Sequence, residues 1–200
     1  MTNSRSPETS GLFDHRDALV IVFDITGATA FFADNTKRPV FNRAIERWVF
    51  AGVEVCEAEG GRLSAFTGDG MIICWPDASM MPQALDAAQT VFDLWKSECD
   101  GLGRQFADAG TLILRAGMAR GPTETVMAPT SDKGPTATIQ GVAVPPAKHV
   151  CDAVPGGLDA LAAAEGLPMP DGAEPLDPGA YTGKTGRARP VWVLPFKAGG

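Results

Sequence analysis

An apolar run that stops abruptly at an acid defines the first strand of this chain, V-I-V-F-D-I-T-G-A-T over residues 20–29. Uninterrupted apolar residues predict a strand buried on both faces, because a half-exposed strand alternates apolar with polar side chains. Asp24 ends this strand and precedes small residues and a glycine. A carboxylate beside a tight loop of free backbone N–H groups can present a metal ion and a polyphosphate together. The alternative is an aspartate that caps the next helix or closes a turn.

The elements that follow predict an α+β domain. Apolar side chains recur at helical spacing from Pro39 to Gly60 and Gly61, where glycine is typical of a helix C-terminus. T-G-D-G then joins two strand-like runs in a hairpin pattern, and a second amphipathic helix and the strand T-L-I-L-R-A-G-M-A follow. This βαββαβ order predicts a ferredoxin-like core whose sheet is mixed or antiparallel, with helices packed on one side.

The rest of the chain predicts C-terminal additions to that core. They are a short strand E-T-V-M-A, a helix over V-A-V-P-P-A-K-H-V-C-D-A-V, a short helix at 158–165, a hairpin around Gly183 to Gly186 and a final strand R-P-V-W-V-L-P-F. Residues 1–17 are polar and aperiodic, which predicts a flexible leader. We therefore expect one domain over residues 18–197.

Composition narrows the classes of partner. The 200 residues are 44% hydrophobic and 20% charged, which suits one well-filled core. A net charge of −7 argues against a nucleic acid or an anionic membrane surface as the main partner, since both need clustered Lys and Arg. The longest apolar run, Ala18 to Phe23, is too short to span a bilayer, and we expect a cytoplasmic protein. Four dispersed cysteines predict buried free thiols rather than a zinc site.

A second acid, Asp69, stands at the tip of the T-G-D-G hairpin. Asp-Gly is a common hairpin turn, so a purely structural role is one explanation. If the strand of Asp24 is central and the hairpin lies beside it, both carboxylates converge at one end of the sheet, next to the 25–29 loop. Two acids that bridge two divalent cations about 3.5–4 Å apart can activate an attacking oxygen and stabilise a leaving phosphate.

These motifs resemble those of the class III nucleotide cyclases, the adenylate and guanylate cyclase catalytic domains. F-D-I-T-G-A-T resembles the family's F-x-D-I-x-G-F-T, and G-G-R-L-S-A-F-T-G-D-G-M-I-I-C-W resembles G-G-x-x-x-K-x-x-G-D-G-x-x-x-x-F. L-R-A-G-M-A-R-G is similar to x-R-x-G-I-x-x-G, and I-Q-G-V-A-V-P-P-A-K-H-V takes the place of D-x-x-G-x-x-V-N-x-A-x-R-L. The resemblance covers residues 18–195 and implies the class III cyclase fold.

The resemblance also implies a site, which binds a nucleoside triphosphate and two divalent cations, Mg²⁺ or Mn²⁺. By this similarity Asp24, Asp69 and the carbonyl of Ile25 are metal ligands. The terminal phosphates would be held by the loop that comprises Thr26, Gly27, Ala28 and Thr29. Arg115 would meet the triphosphate as a bidentate donor. Without the resemblance, Arg115 could equally be a surface arginine on a strand.

Four polar roles of the family are missing. The base-reading lysine falls on Ala65, and the purine-reading aspartate falls on Thr138. The ribose-orienting asparagine falls on Pro145, which has no equivalent donor, and the transition-state arginine falls on His149. A neutral imidazole is a poor substitute for a guanidinium, whose role in related phosphoryl transfers is worth factors of about 10³ or more. His149 could equally be a helix-surface residue with no catalytic part.

Three hypotheses about function follow. The chain is a working cyclase, either homodimeric or paired in a heterodimer with a complementary chain, or it is a pyrimidine cyclase of the antiphage-signalling type that makes cUMP or cCMP. The third hypothesis is a module that binds nucleotide and metal without chemistry. The retained metal and phosphate residues favour an enzyme.

The resemblance implies a head-to-tail dimer, in which the partner presents Thr138, Pro145 and His149 to the nucleotide. We expect the contact at the 142–150 segment and at the first helix, around Phe41, Ile45 and Trp48. The alternative is that the first helix simply covers the sheet.

Overall fold

A computed structural model of the chain describes residues 14–128, 136–154, 157–176 and 190–196. The strands are β1 Asp14–Thr26, β2 Arg62–Phe66, β3 Gly70–Trp75, β4 Ile113–Ala128, β5 Thr136–Gly141, β6 Ala160–Ala164, β7 Glu174–Pro175 and β8 Pro190–Pro195. The helices are α1 Ala28–Ala33, α2 Arg38–Ala58, α3 Met81–Gly103 and α4 Val144–Asp152, with short 3₁₀ turns at Ala78–Met80 and Ala107–Thr111.

The strands form one mixed sheet in the order β2-β3-β1-β4-β6-β8-β7, and β5 pairs separately with β4. Its first four strands pair antiparallel, and β6 is parallel to β4. The order β2-β3-β1-β4 with helices after the first and third strands is the ferredoxin-like arrangement, so the predicted α+β core is confirmed. Strand β1 is central, as its apolar run predicted.

Helices α2 and α3 cover the first face of the sheet with large side chains. Phe41, Ile45 and Trp48 of α2 are buried there at 3% exposure or less. The Trp48 Nε1 donates a hydrogen bond to the Val91 carbonyl oxygen at 3.1 Å, and its ring meets Trp95 edge-on with centroids 5.3 Å apart. The first helix therefore covers the sheet, and the predicted dimer contact at these three residues is wrong because they lie in the core of their own chain.

Helix α4, one of the C-terminal additions, covers the second face, whereas the two core helices α2 and α3 pack together on the first face as predicted. Alternation along β1 sends Ala18, Val20 and Val22 to this face, where they pack with Ala147 and Val150 of α4. The side chains here are small, and α4 comes close to the strands. A Cβ added at Gly117 of β4 would overlap the carbonyl oxygen of Ala147, so only glycine permits this approach.

Three boundaries differ from the sequence-based expectations. Strand β1 begins at Asp14 rather than near Ala18, and β4 is one long strand that includes E-T-V-M-A. The predicted helix at 158–165 is wrong, because A-L-A-A-A forms strand β6 with all five residues buried beside β4. The final strand and α4 are confirmed, while the hairpin at 183–186 and residues 1–13 lie outside the described residues. None of the described helices is long and apolar enough to cross a bilayer.

Candidate active site

The two acids among the three predicted metal ligands lie at the same end of the sheet, next to the third, Ile25. Asp24 pairs with Gly70 in the β1–β3 register, and the Ile25 N–H donates to the Asp69 carbonyl oxygen at 3.2 Å. A Cβ at Gly70 would overlap the Phe23 carbonyl oxygen, so glycine lets the hairpin turn lie against the end of β1. The backbone therefore sets Asp24 of β1 next to the turn that carries Asp69, and the role of the two acids as metal ligands stays a prediction.

Asp24 is the centre of a cluster of four charged side chains. Its Oδ2 accepts hydrogen bonds from Arg115 Nε at 3.0 Å and Arg115 Nη2 at 2.7 Å. Its Oδ1 accepts one from Lys148 Nζ at 2.9 Å. Asp152 Oδ1 lies 3.0 Å from Arg115 Nη2 and 3.2 Å from Lys148 Nζ. The two cations are therefore each shared between the same two carboxylates.

The fold brings these side chains together through register and helix spacing. Asp24 and Arg115 are direct partners in the β1–β4 pairing, so both side chains leave the sheet on the α4 face. Lys148 and Asp152 are four residues apart on α4, which puts them on one side of the helix. The close approach of α4 over Gly117 lets that side of the helix reach Asp24.

The cluster shifts the pKa values of Asp24, Arg115 and Lys148 toward the charged forms. Burial alone would raise the pKa of Asp24, but the hydrogen bonds from Arg115 and Lys148 outweigh it and lower the pKa below the usual aspartate value. Burial would likewise lower the pKa of Lys148, yet its bond to Asp24 raises that pKa overall. The Asp24 side chain is only 15% exposed, so its charge is held by these partners more than by water.

The predicted phosphate loop is shorter than expected. Thr26 ends β1, and α1 begins at Ala28, whose side chain is buried. Between them Gly27 has φ 91°, in the left-handed region, and a Cβ there would lie 2.9 Å from the Thr111 carbonyl oxygen. Thr26 and Thr29 are exposed. Their binding of phosphate remains a prediction.

Neither a protein-family model nor a curated protein matches the sequence of this chain. Solved structures match its fold. The guanylyl cyclase Cya2 is 15% identical, with a TM-score of 0.68 and 92% of each chain covered. The adenylyl cyclase CyaB from P. aeruginosa is 15% identical, with a TM-score of 0.65 over 92% of this chain and 95% of that one. A class III adenylyl cyclase-like ATP-binding protein from Pseudomonas aeruginosa is 19% identical, with a TM-score of 0.63 over 75% of this chain and 33% of that one.

The chain has the class III nucleotide cyclase fold. The resemblance seen in the sequence motifs is therefore confirmed at the level of fold. At these identities the match carries no information about substrate, because neighbours of this fold include an adenylyl cyclase, a guanylyl cyclase and an ATP-binding protein.

The departures from the cyclase pattern fall in three places. Ala65 of β2 is half-buried and pairs with Ile72, whose side chain packs on the α4 face, so Ala65 lies on the same face as Asp24. Thr138 pairs with Val126 in the β4–β5 ladder, and its side chain is outside what the structure describes. Pro145 is exposed and His149 is half-buried on α4. Pro145 is three residues before Lys148 and therefore lies on the same side of the helix, whereas His149 follows Lys148 directly and points about 100° away from it.

Sequence reasoning missed Lys148 and Asp152. Their only signal is a lysine and an aspartate at i and i+4 in a segment already predicted to be helical, which by itself indicates an ordinary surface pair. The pair became informative only when α4 was placed against Asp24. In this cyclase fold Lys148 reaches the site of its own chain, one position before the residue that replaces the family arginine.

Asp24 has fewer free acceptor positions than the two divalent cations expected from the motifs would need. A carboxylate offers about four acceptor positions, and three of those on Asp24 are used by Arg115 and Lys148. The backbone of Asp69 lies beside Ile25, whose N–H donates to the Asp69 carbonyl oxygen. Across residues 14–128, 136–154, 157–176 and 190–196, no group of three His, Cys, Asp or Glu side chains could hold a metal. One acceptor position on Asp24 Oδ1 is therefore left for a cation, and a second cation on Asp24 requires one of these three contacts to break.

Proposed function

We propose that the chain is a nucleotide cyclase domain that converts a nucleoside triphosphate to a 3′,5′-cyclic nucleotide and pyrophosphate. The observation that carries the proposal is the state of Arg115. Its Nε and Nη2 donate to Asp24 and Asp152, while the two N–H groups of Nη1 have no hydrogen-bond partner among the described residues. A guanidinium fixed on one edge and open on the other is suited to a phosphate.

The reaction needs one bond made and one broken. The ribose 3′ oxygen attacks the α-phosphorus, its proton leaves to solvent, and the bond to the β-phosphate oxygen breaks to release pyrophosphate. A divalent cation bound at Asp24 and Asp69 would activate the attacking oxygen and stabilise the leaving phosphate. Arg115 would orient the triphosphate, and its positive charge would offset the charge that grows on pyrophosphate.

In this proposal the base pocket is not specific for purines. Ala65, at the lysine position, has no donor to offer a base edge, and Thr138 replaces the purine-reading aspartate. A pocket without these two contacts admits a pyrimidine, and cUMP or cCMP in antiphage signalling is therefore one proposed role. We expect slow turnover without a strong preference for ATP.

The proposed assembly is a homodimer in which α4 of each chain faces the site of the other. Val142, just before α4, is 67% exposed, and Pro145 is also exposed. Lys148 on α4 already binds Asp24 of its own chain, so this lysine is not available to orient the sugar. A heterodimer with a complementary cyclase chain meets the same need and is the alternative assembly.

A second candidate function is nucleotide binding without turnover. The cluster of Arg115, Lys148, Asp24 and Asp152 carries no net charge, so a triphosphate must compete with Asp152 for the two cations. That competition permits binding but weakens the electrostatic drive for catalysis. A regulatory subunit that holds nucleotide is the form this function would take.

One experiment separates these candidates. The purified chain is incubated with Mn²⁺ and each of ATP, GTP, UTP and CTP, and the products are identified by mass spectrometry. A cyclic nucleotide with pyrophosphate supports the cyclase. Nucleotide binding without product supports the binding module. The absence of both product and binding would refute both candidates.

The Arg115→Lys variant tests the residue that carries the proposal. Lysine keeps the charge but loses the planar fork, so triphosphate affinity should fall by about 1–3 kcal/mol. Arg47→Lys is the matched control, since Arg47 is 62% exposed on α2 and pairs with Glu98. Unchanged affinity in the Arg115 variant would make that arginine a structural residue only.

A further inference from the structure

The Lys148 ammonium group contacts the Asp24 carboxylate in the way a metal ion would. Its ammonium lies 2.9 Å from Asp24 Oδ1, and it also contacts Asp152 at 3.2 Å, so two carboxylates fix its position. Arg115 takes both acceptor positions of Asp24 Oδ2. Oδ1 therefore has one position taken by Lys148 and one left.

Lys148 is held in this place by the fold as well as by charge. The residues on either side of it, Ala147 and Val150, are buried against the sheet, and Gly117 admits α4 at close range. The helix cannot turn to withdraw the lysine without removing these side chains from the core. The Lys148 side chain is 43% exposed, so it reaches the site from the rim and not from the interior.

We propose that Lys148 supplies in its own chain the positive charge that a second cation would bring, so that the site takes a single divalent cation per chain. This inference rests on the proposed function, because it concerns the same triphosphate site. The remaining position on Oδ1, together with Asp69, receives the one cation. Lys148 is then a residue that sets metal stoichiometry, and the phosphate charge is shared among one cation, Arg115 and Lys148.

The count of bound metal tests this directly. The full chain is dialysed to equilibrium against Mn²⁺ and inorganic tripolyphosphate, a probe that carries no base, and elemental analysis gives the excess Mn and phosphorus per chain. We expect one Mn²⁺ and one tripolyphosphate on the wild type. Lys148→Gln should bind two Mn²⁺, because its neutral amide leaves Asp24 open to a second cation.

Two variants control for loss of structure and of charge in general. Lys148→Arg keeps a cation at the site and should bind one Mn²⁺, as the wild type does. Lys96→Gln removes an exposed lysine on α3 and should also bind one. Circular dichroism checks that each variant keeps its helices.

The outcomes distinguish this inference from the function on which it rests. Two Mn²⁺ on the wild type, or one on both the wild type and Lys148→Gln, overturns the role of Lys148 and leaves the triphosphate site standing. If the wild type binds neither Mn²⁺ nor tripolyphosphate, the inference and the proposed function are overturned together.

Discussion

The two faces of the sheet are filled by different kinds of side chain. Helices α2 and α3 pack on the first face with aromatic residues such as Trp48 and Trp95. Helix α4 packs on the second face through Ala147, Val150 and Cys151, against alanines and valines of the strands. Large side chains hold a helix away from a sheet, whereas small ones let its backbone come close.

The difference teaches how one sheet can serve both stability and a site. The first face buries most of the large apolar side chains, and the hydrophobic effect there stabilises the whole domain. The second face buries fewer large apolar side chains. Because α4 packs close to the strands there, its charged side lies within hydrogen-bond distance of Asp24. Bulky residues on the second face would separate Lys148 from its carboxylate.

The largest effect should come from the first face. Trp48→Ala removes a buried indole and its hydrogen bond to Val91, so we expect a loss of about 4 kcal/mol in the free energy of unfolding. Val150→Ala on the second face should cost about half as much. Urea denaturation measures both. Equal losses would break the contrast between the faces.

The close approach of α4 is tested next. Gly117→Ala places a methyl group where the Ala147 carbonyl oxygen now lies, and α4 must shift away. We expect a loss of about 2–3 kcal/mol in the free energy of unfolding. Gly101→Ala on α3 is the control. A Cβ added at Gly101 would lie 3.8 Å from Arg104 Nη2, and alanine has a higher helix propensity than glycine. An unchanged Gly117→Ala protein would contradict the tight second face.

The charged cluster should give a smaller, pH-dependent effect. Asp24→Asn leaves Arg115 and Lys148 without one of their two carboxylates, and we expect a loss of about 1–2 kcal/mol at pH 7. The folded-state pKa of Asp24 is lowered, so its contribution is present above the unfolded pKa and is lost as pH falls through the folded pKa.

The difference between wild type and Asp24→Asn should therefore shrink below about pH 4. Urea denaturation at pH 7 and pH 3 measures it, with the exposed Asp171→Asn as a control. A difference that stays constant with pH would show that the cluster does not depend on the Asp24 charge.

The smallest effect concerns an acid on the other side of β4. Burial raises the pKa of Asp159, although a hydrogen bond from the Leu114 N–H at 2.9 Å partly opposes it. A group whose pKa is raised on folding stabilises the protein at pH values below its unfolded-state pKa. That stabilisation is lost as pH rises through its folded-state pKa. Asp159→Asn keeps the acceptor for Leu114 and should stabilise the protein by under about 1 kcal/mol at pH 7.

Thermal unfolding at pH 7 and pH 3 tests that expectation, since the gain should vanish at the lower pH. A variant less stable than the wild type at pH 7 would show that Asp159 is favourable when charged. Asp24 and Asp159 would then behave alike, although they lie on opposite sides of β4.

The sequence predicted the elements whose signal is local. The helical period of α2 and α3, the T-G-D-G hairpin and the apolar β1 each follow from a few neighbouring residues. Strand β6 was missed because A-L-A-A-A has a high helix propensity, which parallel pairing with β4 overrides. The pattern of α4 shows that the helix is amphipathic but carries no information about which face of the sheet it covers.

Local signals also led to part of the candidate site. Asp24, Asp69 and Arg115 stand out because each departs from a local pattern or matches a motif. Their pairing depends on strand register, which joins residues far apart in the chain, such as Asp24 and Arg115. Lys148 could not be predicted from the sequence, because only the tight packing of α4 against the sheet brings it to Asp24.

The edges of the sheet have a consequence for solubility. On one side the described sheet ends in β7, two residues long, whose Pro175 has no N–H to donate. On the other side it ends in β2, where the register shifts between Leu63 and Ala65. Intermolecular strand addition requires a long, regular and unpaired backbone, and among the described residues neither of these two borders supplies one. At high concentration we therefore expect these two borders to resist edge-to-edge association of copies into fibrils.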